Sequence, residues 1–285
     1  MRAADTGTVK RATRERAAGP LVLDVRGRPG PPPLRFVRAR DGAPALHQGD
    51  RPLFLARWEG DGCCRDLRLR RLPGHRSPLP PPTAASMRAP ADWRHRYARW
   101  LEDTPYGPLH DGRWALTAHA VFAPGIWTED LVRAWPDAVL QVYCAGGWHG
   151  VLPLRPLSAP DAPRVKAYRK HARDGTLAPV LLWWVSFLDG WLLLDGHDRA
   201  VAALAEGREP GCVVLTRLPD EAEWRRTADA VAEGHRERMA RLSARPAGPD
   251  AERQRAALER GYADALAGLP HDEAPTPVWP WPGDA

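Results

Sequence analysis

From Leu21 to Leu72 apolar residues come in short runs, Leu21–Val25, Leu34–Val37, Pro52–Trp58 and Leu67–Leu69, cut by the turn formers Pro31-Pro32-Pro33, Asp41-Gly42 and Asp61-Gly62. Runs of that length and spacing predict a small antiparallel sheet. Pro78 to Pro82 predicts a stiff, extended linker, because closely spaced prolines fix φ and lack ladder donors. After Asp92, the residues Trp93, Tyr97, Trp100 and Leu101 recur at helical spacing and predict a short amphipathic helix. Trp114–Phe122 reads as a strand, and Thr128 as the cap of a helix to Trp135. Val139–Tyr143, Gly146-Gly147 and Val151–Leu154 read as a hairpin.

Further on, Arg164–Arg173 is a polar, helix-compatible segment closed by Asp174-Gly175, and Pro179 opens the apolar run Val180–Phe187. Asp189-Gly190 signals a type I′ hairpin with Trp191–Leu194 as the returning strand. That strand runs straight into Asp195-Gly196-His197-Asp198-Arg199, where Ala200, Val201, Ala203 and Leu204 take up helical spacing until Gly207. Cys212–Leu215 is one more buried strand. Helices over about 220–242 and 250–269 follow, the second with Leu258, Tyr262, Leu266 and Leu269 on one stripe, and together they predict a helical hairpin against the sheet. The ending, from Pro275 to Pro282, is proline-broken and predicts an extended tail whose Trp279 and Trp281 dock on the body.

These patterns predict an α+β protein with a mixed sheet. Its segments are a tail (1–18), a basic, proline-rich β region (19–90), a mixed region (91–149), a module over 150–218, a helical hairpin (219–270) and the Pro/Trp tail (271–285). Composition changes the picture in three places. The longest apolar run, Leu177–Leu188, is shorter than the about twenty residues a membrane-spanning helix needs. The cysteines Cys63, Cys64, Cys144 and Cys212 have neither zinc spacing nor the density of a disulfide framework, so they read as thiols of a reducing, cytoplasmic protein. Residues 1–90 hold 18 Lys and Arg against 8 Asp and Glu, a balance of +10 that leaves −4 of the total +6 for the rest, so a basic partner surface belongs to the N-terminal third. Lys10, Lys166 and Lys170 are the only lysines beside 38 arginines, a bias that a GC-rich coding sequence also produces.

The chemistry concentrates at Asp195–Arg199. A strand ending in Asp-Gly and opening into a helix gathers unpaired backbone N–H groups and the positive end of the helix dipole, a combination that attracts phosphate. Gly196 permits close backbone approach, Arg199 offers a planar fork to phosphate oxygens, and Asp195 or Asp198 offers oxygen to a divalent cation. His197 is a candidate proton carrier. The same residues also fit an N-cap with a dipole-compensating acid and a local salt bridge.

Leu152-Pro153-Leu154-Arg155, Val165-Lys166-Ala167-Tyr168, Gly175-Thr176-Leu177-Ala178-Pro179-Val180 and Leu193-Leu194-Asp195-Gly196-His197-Asp198-Arg199 occur in the order seen in the ParB and sulfiredoxin superfamily, whose nucleotide-binding module residues 150–218 resemble. The resemblance implies that Asp195, Gly196, His197 and Arg199 grip the phosphates of a nucleoside di- or triphosphate with magnesium, as the Asp-Gly-His-His-Arg box does in the branch that includes free-serine kinases. Asp198 replaces the second His of that box. Sulfiredoxin has its catalytic cysteine where this chain has His197, which argues against sulfinic-acid reduction. Partition ParB proteins have a Glu and an Arg at the positions of His197 and Asp198, which argues against their clamp activity. A catalytic carboxylate near the module's start corresponds to Asp161. The expected function is therefore nucleotide binding, extending to a magnesium-dependent phosphotransferase or NTPase acting on a small molecule. The alternative is a non-catalytic adaptor or immunity-type protein, with a protein or nucleic acid as partner and no membrane contact.

Overall fold

The computed structural model describes residues 19–38, 42–59, 65–119, 122, 125–128, 131, 137–142, 150–244, 248–269 and 273–281. The expected N-terminal tail, Cys63-Cys64, the Gly146-Gly147 turn and most of the helix expected after Thr128 lie outside these residues.

Two six-stranded sheets face each other across one core. The first contains β1 (Leu21–Val25), β6 (Gly112–His119), β11 (Cys212–Leu218), β9 (Val180–Val185), β10 (Gly190–Asp195) and β8 (Val151–Pro153), in that order. It is mixed: β8 runs parallel to β10 and β9 parallel to β11, and the other pairs are antiparallel. The second has the order β12 (Val278–Trp279), β2 (Leu34–Arg38), β3 (Pro44–Gln48), β4 (Arg51–Glu59), β5 (Arg65–Arg71) and β7 (Asp137–Val142). The helices are α1 (Ala84–Arg88), α2 (Trp93–Asp103), α3 (Pro163–Arg173), α4 (His197–Ala205), α5 (Glu221–Ser243) and α6 (Pro249–Gly268). The α+β class follows directly.

The side-chain period explains the layers. In β5, Leu67 and Leu69 are fully buried while Arg68 and Arg70 are exposed, the alternation of a sheet with one wet face. In β9 both faces are apolar. Leu181, Trp183 and Val185 join the core between the sheets, with the Phe36 ring 5.6 Å from Trp183, whereas Val180 and Leu182 pack on the side of α4, with Ala200. A strand covered on both sides must read as a continuous apolar run.

Four expectations need correction. β1 leaves the small sheet and pairs with β6 in the other one, Leu23 opposite Trp114. β3 is an unforeseen strand: Pro44 stands at its first residue, where no ladder donor is missed, and its polar His47 and Gln48 are buried. Val139 and Val151 do not form a hairpin, since β7 lies beside β5 while β8 lies beside β10 in the opposite layer. The β9–β10 loop is four residues, 186–189, rather than a two-residue type I′ turn: Asp189 has φ 46°, but Gly190 already pairs with Val185.

The C-terminal tail is bonded to this loop. Ser186 N–H donates to Thr276 Oγ1 at 3.0 Å and Thr276 N–H to Ser186 Oγ at 2.8 Å. The tail docks as its tryptophans suggested, with β12 parallel to β2, Trp279 edge-on to His110 and Trp281 edge-on to His47. The two long helices pack on each other, His235 stacking on Tyr262 at 4.3 Å. The Arg217–Glu223 ion pair at 3.0 Å ties the first turn of α5 to β11. Among the described residues no helix is long and apolar enough to cross a membrane.

Candidate functional site

The strand-to-helix corner forms where the sequence places it. β10 ends at Asp195, Gly196 takes φ 94° as the N-cap, and α4 starts at His197 with no side chain capping its free N–H groups. Only glycine fits: a Cβ at 196 would sit 2.8 Å from Val180 Cγ1 and 2.9 Å from Arg199 Nη2. Gly196→Ala is therefore expected to cost about 2–4 kcal/mol, combining left-handed backbone strain with overpacking. Urea unfolding measures it, and a loss under about 0.5 kcal/mol, the scatter of neutral surface changes, would contradict the geometry.

Arg199 does not face outward. Its side chain is 3% exposed, and Nη2 donates to Asp195 Oδ2 at 2.7 Å, to the Pro179 carbonyl at 3.0 Å and to the Tyr97 hydroxyl at 3.4 Å. Burial opposes the guanidinium charge, and Asp195 more than restores it, so its pKa is raised. Asp195 in turn accepts at Oδ1 from Ser77 Oγ, 2.6 Å away. The fork expected to meet phosphate instead orients a carboxylate inside the protein.

His197 is 1% exposed, and its Nε2 accepts from the backbone N–H of Arg155 at 3.3 Å, which leaves the ring proton on Nδ1. Burial first, then His75 and Arg155, hold its pKa well below the usual histidine range, so the ring is neutral. Asp198 is 5% exposed and saturated by neighbours: it accepts from Ser158 Oγ at 2.7 Å and pairs with Arg155 at 3.2 Å and Arg164 at 3.4 Å. Asp161 is exposed and lies outside the corner's cavity.

That cavity measures about 240 Å³. His75, Ser77, Asp195 and His197 line it together with Arg155 and Arg164, whose side chains are 42% and 56% exposed. The imidazoles of His75 and His197 lie 5.8 Å apart. His75 is pushed down to about 4, by burial first and then by Arg155, and its buried Nε2 has no hydrogen-bond partner. Such an atom costs free energy unless a ligand or solvent satisfies it.

Of the residues expected from the sequence, the cavity holds Asp195 and His197. Gly196 shapes the turn behind it, whereas Arg199, Asp198 and Asp161 do not line it. His75, Ser77 and Arg164 were not foreseen. Arg155 was legible as the end of Leu152-Pro153-Leu154-Arg155, but Ser77 comes from the proline-rich segment 118 residues before Asp195, beyond any local signal. Pro78 and Leu79 are buried, so this segment is a wall of the site as well as a connection. The carboxylates of Asp195 and Asp198 are already ion-paired, and no group of three His, Cys, Asp or Glu suited to a metal occurs among the described residues, so the site does not fit a protein-held magnesium. Cys212 is buried, which pushes its thiol up and leaves it inert. Compared with protein-family models, curated proteins and solved structures, the chain matches none.

Proposed function

We infer that the β10–α4 corner binds the phosphate end of a nucleoside di- or triphosphate. The observation that carries this reading is the convergence of Arg155 and Arg164, both half-exposed, on a cavity at an uncapped helix start where His75 Nε2 lacks a partner. Arginine forks match phosphate oxygens in pairs, and the helix start adds N–H donors and a positive partial charge. Asp198 holds both guanidiniums near one place before a ligand arrives, which lowers the ordering cost of binding.

A cavity of about 240 Å³ is below the roughly 300–1,000 Å³ of sites that enclose a drug-sized ligand. It suits one or two phosphate groups, with the nucleoside outside. Any magnesium comes bound to phosphate oxygens, since the chain's nearby carboxylates are engaged. The resemblance of residues 150–218 to the ParB-like module supports a nucleotide over other phosphates. Phosphate transfer from this site asks mainly for positioning and charge neutralisation, which the arginines and helix start supply.

The test is a thermal-shift panel of ATP, ADP, CTP and GTP with and without magnesium. A ligand of the native state at about 100 times its Kd adds about 2.7 kcal/mol, so at least one nucleotide should raise Tm by several degrees, and Arg155→Gln/Arg164→Gln should abolish the rise. A flat panel on the wild type overturns the reading. It would favour the adaptor, for which one observation speaks. Arg57, Arg68 and Arg70 share the exposed face of β4 and β5, where Glu59 pairs Arg68, a basic face that fits an anionic partner. A nucleic-acid contact there would weaken steeply with salt.

A further inference from the structure

Ser77, Asp195 and Arg199 form a line of hydrogen bonds that phosphate binding does not need. Ser77 Oγ is 2.6 Å from Asp195 Oδ1 and 3.0 Å from the Leu79 carbonyl, so its single proton goes to the nearer carboxylate. The Leu79 N–H donates back to Oγ at 3.1 Å and fixes the hydroxyl in place. Arg199 pins the other oxygen of Asp195 at 2.7 Å. A hydroxyl bonded to a base that a third group orients is the arrangement of an activated nucleophile. This hydroxyl lines the same cavity as Arg155 and Arg164.

We propose that Ser77 is a phosphoacceptor, taking the terminal phosphoryl group of a nucleoside triphosphate bound at this corner; the inference rests on the phosphate-site reading above. A bond forms between Ser77 Oγ and the γ-phosphorus while the bond from that phosphorus to the β–γ bridging oxygen breaks. The Ser77 proton passes to Asp195 Oδ1, and the nucleoside diphosphate leaves with the bonding electron pair. Asp195 is the base and Arg199 a positioning residue. Arg155 and Arg164 neutralise the charge on the transferred group.

The experiment incubates the full-length protein with ATP or GTP and magnesium, quenches in acid over seconds to hours, and maps phosphoserine by mass spectrometry, with nucleotide binding followed by Tm on the same samples. Phosphate should appear on Ser77 in the wild type, vanish in Ser77→Ala, and persist at a reduced level in Ser77→Thr. A nucleotide that raises Tm while no phosphate reaches Ser77, or an equal label in Ser77→Ala, overturns this inference and leaves the phosphate site standing. No Tm shift together with no label overturns both.

Discussion

Arg199→Ala is expected to destabilise the fold by about 3–5 kcal/mol, the cost of removing one partner of a buried pair and leaving the other uncompensated. Asp195 Oδ2 loses the guanidinium that balances its charge, while the Pro179 carbonyl keeps only the Tyr97 hydroxyl, which donates to it at 2.5 Å. A loss of that size is a large fraction of the roughly 5–15 kcal/mol that holds a domain together. The companion Asp195→Asn/Arg199→Met should recover part of it, because no unpaired charge remains. Urea unfolding of the two variants checks both statements. Had Arg199 faced a ligand as the sequence suggested, Arg199→Ala would leave stability nearly intact and lower affinity alone, and that outcome would refute the internal placement.

Acid should weaken the protein well above the carboxylate range. His75 is neutral in the folded state, with a pKa near 4, and its ordinary value is 6.5. Below 6.5 the unfolded chain therefore takes up a proton that the folded chain refuses, so stability falls with pH until about 4 and then levels off for this group. From the relation of one pKa unit to 1.36 kcal/mol, His75 alone removes about 2 kcal/mol by roughly pH 5. His47, His110 and His197 are also lowered, each mainly by burial, and add in the same direction. Glu59 and Glu206 are lowered by arginine partners, so their contributions begin to disappear only as pH falls below about 4.5. Urea midpoints at pH 7, 6 and 5 isolate the histidines, and His75→Gln should flatten the slope. A stability unchanged from pH 7 to 5 would contradict the burial of these rings.

The local chemistry of the corner was open to reading because spacing alone dictates it. Asp195 ends an apolar run, Gly196 is the residue a left-handed N-cap demands, and the alanines after Arg199 follow helical spacing. The α2 stripe of Trp93, Tyr97, Trp100 and Leu101 and the Leu67–Leu69 run of β5 were legible for the same reason, Tyr97 and Leu101 being buried and both tryptophans packed half-buried against the core. What stayed hidden depends on partners far along the chain. Whether Arg199 points at a ligand or at Asp195 is decided by where Pro179 and Tyr97 come to rest, and nothing within Asp195–Arg199 encodes that. β1 looks like any half-buried strand, and it joins the first sheet because β6 offers an edge there. His47 and Gln48 look like loop residues. Trp281 covers one, and the Arg76 and Tyr106 carbonyls bind the other, which makes β3 a buried strand.

The central claim is that Arg155 and Arg164, rather than Arg199, meet the anion at the corner of β10 and α4. Titration calorimetry of pyrophosphate at low salt, into the wild type and into Arg155→Gln/Arg164→Gln, tests it most directly. A single binding site is expected in the wild type and lost in the double variant, which still unfolds cooperatively in urea but is less stable, because the 7% exposed Asp198 carboxylate loses both guanidinium partners. Equal affinity in the two proteins, or no binding to either, would contradict it.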